Sequence, residues 1–392
     1  MPYSLPFIPT PVTTYGKWKL STKGYRREKH DNLIPLTRYQ AMTVQRRLAP
    51  GNAMKSCGLR PIPTPDNQIS LCITEKGARF QGVSRCRSQF CIDCASYAKE
   101  KRIERIGAGI RGAIATNKPV YFLTLTTQRS PDPTSQITAL QEGWKLLQGR
   151  LAYRLKKQGI RMHFVRGLDV TFRPGRHDIY HSHLHIVFVL GSEFVPYRSK
   201  GIEYETFESM VSASWVDIQL KKGIKADIAG QRIERVEEDR GLSRYLAKFD
   251  GLGHEVANFH AKTGKQTQTM QENQSIGWMQ LIGRVYRGES DCEAIYQRFL
   301  CAVKGKRTIS FSGSWDQLVR LDPKEPEEET EPRKIEIPIN MVTFWEIREC
   351  GVDAFCLAAY SSIITTGAAP LLSLLDMHPS REEIKAFIDF FG

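Results

Sequence analysis

The chain has 392 residues, enough for two or three compact units, and its 56 Lys and Arg against 42 Asp and Glu give a formal net charge of +14. Residues 321 to 392 hold 6 basic and 14 acidic residues, so residues 1 to 320 carry +22. This favours a phosphate-rich partner such as nucleic acid, although basic proteins also bind acidic proteins and membranes. The start, Met1 to Pro6, has no basic and apolar signal pattern, so the nine cysteines argue against a secreted disulfide scaffold.

Residues 1 to 55 are rich in Pro, Lys and Arg and show little periodicity. We expect a basic arm that lies on DNA, or only a loose terminus. Residues 56 to 117 are predicted to form a cysteine-rich zinc module that ends in a basic helix.

The cysteine module has three residues at metal-ligand spacing, Cys86, Cys91 and Cys94. A closed structural zinc site needs a fourth ligand, which Cys72 or Cys57 could supply. We predict Cys72, because Cys57 lies in a separate Pro-rich context. Free buried thiols are the alternative.

The segment Ala95 to Asn117 is predicted to be a helix, because isoleucines recur along one of its faces. Lys99, Arg102 and Arg105 lie largely outside that face. They are either a solvated charged surface or contacts to DNA phosphates.

A β-strand is predicted at Tyr121 to Thr127, where threonine occupies alternating positions in an apolar run. The helix that follows carries an aliphatic stripe from Ile137 to Leu155 and ends at Gly159. The stripe indicates a core-facing surface.

The next two strands are predicted to form a hairpin over residues 164 to 190, with a turn at Pro174-Gly175. A hairpin centred near Arg176 places Asp169 directly opposite His183 on one face. A register shift of one residue would instead put Asp169 on the surface.

His183 and His185 are one residue apart, so in a strand they project to the same side. Together with Asp169 they predict a three-ligand site for a divalent metal with open positions for a substrate oxygen. The alternative is a strand with two structural histidines that hydrogen-bond within the protein.

A helix near residues 205 to 221 and a short strand near 226 to 236 follow. They lead to a helix-compatible stretch from Leu242 to Phe249. Tyr245 and Lys248 share one face of that helix, and a nearby cation makes a tyrosine easier to deprotonate. The whole order, β-α-β-β-α-β, predicts an α+β fold with an antiparallel sheet and helices on one face.

Beyond residue 252, a basic helical region is predicted over residues 253 to 322 and an acidic linker over residues 323 to 332. Residues 333 to 392 are predicted to form a small helical module with a capping box at Ser380 and Glu383. The uncharged run from Ala354 to Leu375 could span a bilayer by length alone, but its polar residues favour two soluble helices broken near Gly367-Pro370. The module would recruit a helicase or polymerase, or only cover the catalytic domain.

The order of these motifs resembles that of rolling-circle replication initiators of the HUH endonuclease superfamily, the single-tyrosine kind of small plasmids and phages. The resemblance rests on FLTLT at 122 to 126, an acidic strand, HSHLH at 181 to 185 and YLAK at 245 to 248. The cysteine cluster looks like one that precedes the threonine strand in one branch of the family. Segments 262 to 265 and 305 to 313 look like its post-tyrosine region. The resemblance covers roughly residues 57 to 320.

The resemblance implies a ferredoxin-like catalytic domain over residues 118 to 252. It implies that Tyr245, assisted by Lys248, attacks a phosphodiester of origin DNA that is single-stranded at the nick, with Mg²⁺ or Mn²⁺ on the aspartate and the two histidines. Attack would leave a 5′-phosphotyrosine and a 3′-OH for a host polymerase, with a host helicase as a further partner, in the cytoplasm of a bacterial or phage-infected cell. No membrane partner is expected. His181 could be a ligand, a hydrogen-bond donor to a ligand or a DNA contact, and it ranks below His183 and His185 because the family uses the last two histidines of such a run.

Two other functions remain open at this point. A single-strand transposase of the same superfamily shares these motifs, and a zinc-bearing DNA-binding repressor would use the histidines only structurally. The chain also departs from one branch of the family, because Gly241 stands where that branch has a glutamate. This departure puts a water-activating role in doubt.

Overall fold

A computed structural model describes residues 38–63, 69–74, 77–177, 179–199, 201–236, 275–323 and 334–392. The chain divides into two compact units. The first unit comprises residues 1–95, 286–288 and 327–392, and the second comprises residues 96–285 and 289–326.

The helices are α1 (Arg38–Leu48), α2 (Asn52–Lys55), α3 (Ile92–Ala115), α4 (Pro133–Lys157), α5 (Phe207–Lys221), α6 (Trp278–Tyr286), α7 (Ser290–Val303), α8 (Trp315–Val319), α9 (Met341–Cys350), α10 (Val352–Thr366), α11 (Ala369–Asp376) and α12 (Arg381–Phe391). The strands are β1 (Ile69–Thr74), β2 (Gly77–Gln81), β3 (Val120–Thr126), β4 (Met162–Phe172), β5 (Tyr180–Leu190), β6 (Tyr197–Ser199), β7 (Ile202–Tyr204), β8 (Arg232–Arg235), β9 (Ile276–Gly277), β10 (Ile309–Phe311) and β11 (Lys334–Ile339).

The second unit is built on an antiparallel sheet with the strand order β10-β4-β5-β3-β8, in which β9 also pairs with the end of β4. Its elements β3, α4, β4, β5, α5 and β8 follow the predicted β-α-β-β-α-β order. The predicted α+β class with an antiparallel sheet is therefore confirmed.

The hairpin of β4 and β5 has the predicted register, with Asp169 paired to His183. Gly175 lies in the connecting turn with φ of 84°, a left-handed conformation that glycine adopts without strain. The turn and the alternation of side chains together set which residues of the hairpin share a face.

One face of this sheet is covered by α4 and α5. The Trp144 ring of α4 meets the Phe164 ring edge-on at 5.1 Å, and the Phe207 ring of α5 lies 5.2 Å from that of Phe188. Trp215, also on α5, is fully buried. These large rings make this face the main core of the unit.

The opposite face is partly covered as well, so the prediction of helices on one face only is wrong. Ile106 and Ile110 of α3 and Trp315 of α8 form a second core with Val187 and other valines of the sheet. Local sequence patterns do not predict this second core, because Trp315 lies about 200 residues beyond α3. This second core lies on the half of the face where the strands carry valine, and the other half carries the histidines.

Close packing of α3 against the α8 segment depends on two glycines of α3. A Cβ atom on Gly112 would lie 2.0 Å from the carbonyl oxygen of Leu318, and one on Gly109 would lie 2.5 Å from the Trp315 ring. The Trp315 Nε1 atom donates a hydrogen bond to the carbonyl oxygen of Arg105 at 3.1 Å. Only residues without a side chain leave room for this approach.

The first unit combines both ends of the described chain. Its sheet has the order β11-β1-β2, with Ile337 of β11 opposite Leu71 of β1. Residues of β1, β2 and β11 share one core with α9 to α12. Residues 333 to 392 are therefore not a separate helical module as predicted, because their first strand completes a sheet that residues 69 to 81 begin.

Two further predictions about the chain ends have mixed outcomes. Residues 38 to 48 form α1, whose Tyr39, Met42 and Val44 are buried, so this part of the predicted basic arm is folded. Residues 1 to 37 lie outside the residues that the structure describes. The break between α10 and α11 and the capping box at Ser380 are confirmed. Among the described helices none is long and apolar enough to cross a membrane.

Candidate metal centres

Asp169, His183 and His185 are brought together on the two central strands of the hairpin. The Oδ2 atom of Asp169 lies 2.9 Å from Nε2 of His183 and 3.8 Å from Nε2 of His185. All three side chains are buried, and their ligand atoms lie within 4.8 Å of one another. The group arises from local sequence, because a two-residue period and a register-fixing turn suffice to align it.

The aspartate of this group is held as a carboxylate. Burial alone would raise its pKa, but the positive charge and the hydrogen bond of His183, together with the nearby imidazole of His185, outweigh burial and hold the pKa of Asp169 well below its usual value. Its other oxygen accepts a hydrogen bond from the Val170 amide at 2.8 Å. A buried anion between two imidazole nitrogens is a donor set that suits a divalent cation.

The distances in the group also suit a metal. Metal–ligand bonds of about 2.1 Å separate neighbouring ligand atoms by about 3 Å in an octahedral shell. The contact of Asp169 with His183 is 2.9 Å, and His185 is less than 1 Å further away. The residues therefore fit a divalent cation with small adjustments of the side chains.

Strand β3 contacts the histidines from the neighbouring position in the sheet. Thr124 pairs with His185, and its Oγ1 atom lies 3.2 Å from Nδ1 of that ring. The Phe122 ring stacks nearly parallel on His185, with 5.8 Å between centroids and 9° between planes. His181 lies outside the metal group, and its Nε2 atom is 2.7 Å from the Thr126 hydroxyl.

A second group consists of Cys57, Cys86, Cys91 and Cys94, whose sulfur atoms all lie within 4.8 Å of one another. The Cys57 sulfur is 3.5 Å from that of Cys94 and 3.6 Å from that of Cys91, and the Cys86 and Cys94 sulfurs are 3.7 Å apart. Zinc bonds of about 2.3 Å to four sulfurs give a tetrahedron with edges of about 3.8 Å. The four cysteines therefore could hold a metal ion, and their geometry fits zinc.

The prediction of Cys72 as the fourth ligand is wrong, because Cys57 takes that place. Cys72 lies in the middle of β1, opposite Glu336 and Arg79 in the neighbouring strands. Residues 58 to 62 instead run antiparallel to residues 82 to 84, with hydrogen bonds from Gly58 to Ser84 and from Ser84 to Arg60. This pairing carries Cys57 to the side of Cys86.

One sulfur of the cysteine group is favoured as a thiolate. Hydrogen bonds from Cys86, Cys91 and Cys94 hold the pKa of Cys57 far below its usual value. The amide of Cys86 also donates to the Cys57 sulfur at 3.4 Å. The same hydrogen bonds raise the pKa of each of the other three thiols. A cation would supply the positive charge that lets all four ionise.

The predicted DNA contacts on α3 are only partly described. The Lys99 side chain lies outside the described residues, and Arg102 is half-buried. Arg105 makes a two-pronged ion pair with Asp316 of α8, with both contacts at 2.9 Å, and its guanidinium lies 4.2 Å from the Phe311 ring centroid. Arg105 therefore ties α3 to α8, and contact with phosphate stays a prediction for all three residues.

Tyr245 and Lys248 lie outside the described residues, as does Gly241. Thr124 and Phe122 are contacts that the sequence did not predict, whereas Cys57 was the alternative fourth ligand, ranked below Cys72. The alternating threonines of β3 could have predicted contacts to the histidines, because Thr124 lies opposite His185 and Thr126 lies opposite His183. Comparison of the chain with protein-family models, curated proteins and solved structures gives no match.

Proposed function

We propose that this protein is a replication initiator that nicks one strand of origin DNA with a tyrosine nucleophile. The observation that carries the proposal is the buried Asp169, His183 and His185 group on two central strands of an antiparallel sheet. The order and spacing of the sequence motifs supply the rest. The strand order β4-β5-β3-β8, with α4 and α5 on one face, agrees with the ferredoxin-like domain that the resemblance implies.

In the proposed reaction, one group of residues binds the cation and another supplies the nucleophile. Asp169, His183 and His185 would hold the cation, which when bound would polarise a phosphate oxygen and offset the negative charge on the phosphate oxygens. Tyr245 supplies the attacking oxygen, and Lys248 favours its deprotonated form. The new bond joins the tyrosine oxygen to phosphorus while the bond to the 3′ oxygen breaks. The 3′ oxygen gains a proton, and no nucleotide cofactor is consumed.

The substrate strand must be unpaired at the nick, because the tyrosine has to approach phosphorus in line with the leaving oxygen. The charge of +22 on residues 1 to 320 provides sequence-independent attraction to the phosphates. A free 3′-OH is what a host polymerase extends, and a host helicase would open the duplex ahead of it. The cysteine group would serve the fold of the first unit, not the reaction.

The proposal is tested with supercoiled plasmid that carries the chain's own gene region, incubated with and without Mn²⁺. We expect metal-dependent relaxation and a 5′ end blocked by protein. Asp169→Asn, His183→Ala and His185→Ala should each lose most of the activity, while His181→Ala should lose less. Equal damage from His181→Ala would mean that the ligand set is wrong. DNA binding without any nicking would favour a repressor.

A further inference from the structure

The threonine strand β3 carries two residues that hold the His185 ring in place. Side chains alternate along a strand, so Phe122 and Thr124 project from the same face of β3. That face is the one on which His185 lies, because Thr124 pairs with His185 and Phe122 pairs with Val187. The two residues therefore meet the ring from the next strand, on the side away from Asp169 on β4.

The two contacts restrict different motions of the ring. The parallel stack of Phe122, with 9° between planes, limits tilting of the imidazole. The Thr124 hydroxyl, 3.2 Å from Nδ1, fixes which edge of the imidazole faces β3. The opposite edge then presents Nε2 to the Asp169 carboxylate, at 3.8 Å.

A metal binds a histidine through the ring nitrogen that carries no proton, and a neutral imidazole has one such nitrogen. If Nε2 of His185 is the ligand, its proton lies on Nδ1. The Thr124 oxygen then accepts the hydrogen bond from Nδ1. A ring rotated so that Nδ1 faces away from β3 would lose this bond. Partners of this kind orient metal-binding histidines and raise their affinity for the ion.

We propose that Thr124 is a positioning residue for the metal centre, which accepts a hydrogen bond from Nδ1 of His185 and so keeps Nε2 as the ligand atom. The inference rests on the proposed function only in taking Asp169, His183 and His185 as a metal site. It gives the first threonine of the FLTLT motif a chemical role.

Thr126 provides a matched control on the same strand. It projects from the same face as Thr124 and is also half-buried. Its hydroxyl contacts Nε2 of His181 at 2.7 Å, and His181 is not one of the three grouped residues. Removing this hydroxyl should therefore leave metal affinity unchanged.

The test measures Mn²⁺ affinity of the zinc-loaded full chain from the paramagnetic resonance signal of free Mn²⁺. The cysteine group does not interfere, because thiolates favour softer ions than Mn²⁺. Thr124→Val keeps the shape of the side chain and removes the hydroxyl, so we expect affinity to fall about 10- to 100-fold. Thr124→Ser should restore it, and Thr126→Val should bind as the wild type does.

Thr124→Ala guards against poor folding of the valine variant, because it removes the same hydroxyl without adding a methyl group beside the ring. It should show the same loss of affinity with an unchanged circular dichroism spectrum. Wild-type affinity in Thr124→Val or Thr124→Ala, or an equal loss in Thr126→Val, would overturn the role of Thr124 and leave the metal site standing. If the full chain binds no Mn²⁺, or if Asp169→Asn does not weaken the binding, the metal site itself is overturned.

Discussion

Replacement of Cys57 by serine should release the zinc that the cysteine group is expected to hold, whereas the same change at Cys72 should not. Both residues are buried, with exposed fractions of 2% and 1%, so the two variants disturb equally enclosed positions. They differ in that Cys57 lies among three other cysteine sulfurs and Cys72 lies within a strand. The pair therefore separates loss of a ligand from general damage to the first unit.

The expected size of the effect follows from the geometry of the sulfurs. Three of their separations are 3.5 to 3.7 Å and all lie within 4.8 Å, close to those of a zinc–thiolate tetrahedron, so each sulfur can bind with little movement. Structural zinc sites bind with about 10 to 16 kcal/mol, so an even share for one of four ligands is about 3 to 4 kcal/mol. This corresponds to a fall in zinc affinity of about 100- to 1,000-fold.

The measurement is zinc content by elemental analysis, followed by competition with a chromogenic chelator. We expect about one zinc per chain in the wild type and in Cys72→Ser, and little in Cys57→Ser. Retention of zinc by Cys57→Ser, with loss from Cys72→Ser, would refute the ligand assignment. Fully folded wild-type protein without zinc would refute the site.

Three further predictions concern stability. In the metal-free protein the pKa of Asp169 lies below 3.8, so the carboxylate's contribution to stability is complete above that pH and is lost as the pH falls towards the lowered pKa. Asp169→Asn should therefore make the melting temperature depend less on pH in that acid range. Gly112→Ala should destabilise the protein by about 1 to 3 kcal/mol in urea unfolding, because the new Cβ meets the Leu318 carbonyl. Gly149→Ala has open space around it and should stabilise the protein by about 0.5 to 1 kcal/mol. Equal effects of the two changes would contradict the packing of α3. A chain that ends at Arg320 loses β11 and α9 to α12, so residues 38 to 83 should become sensitive to limited proteolysis, and continued protection would contradict the shared core.

The sequence was sufficient for the parts of the fold that local patterns determine. The hairpin register follows from side-chain alternation and a Pro-Gly turn, so the pairing of Asp169 with His183 is predictable from the sequence alone. The helices of the β-α-β-β-α-β unit follow from aliphatic periodicity. The metal group depends on nothing beyond these local features.

The remaining features depend on contacts between distant parts of the chain. Cys57 reaches its cluster only because residues 58 to 62 pair with residues 82 to 84. Trp315 covers α3 from across about 200 residues of sequence. Ile335, Ile337 and Ile339 alternate as a strand should, but the acidic and Pro-rich surroundings favoured a linker and helices. Their partner β1 was needed to identify them as a strand.

The proposed reaction joins Tyr245 covalently to DNA. The direct measurement is mass spectrometry of the peptide that remains attached to a 5′ phosphate after reaction with a single-stranded oligonucleotide from the origin region and Mn²⁺. We expect a phosphotyrosine link at Tyr245, and no adduct from Tyr245→Phe although that variant still binds DNA. An adduct at wild-type yield in Tyr245→Phe, attached at Tyr204 or Tyr286, would show that Tyr245 is not the nucleophile.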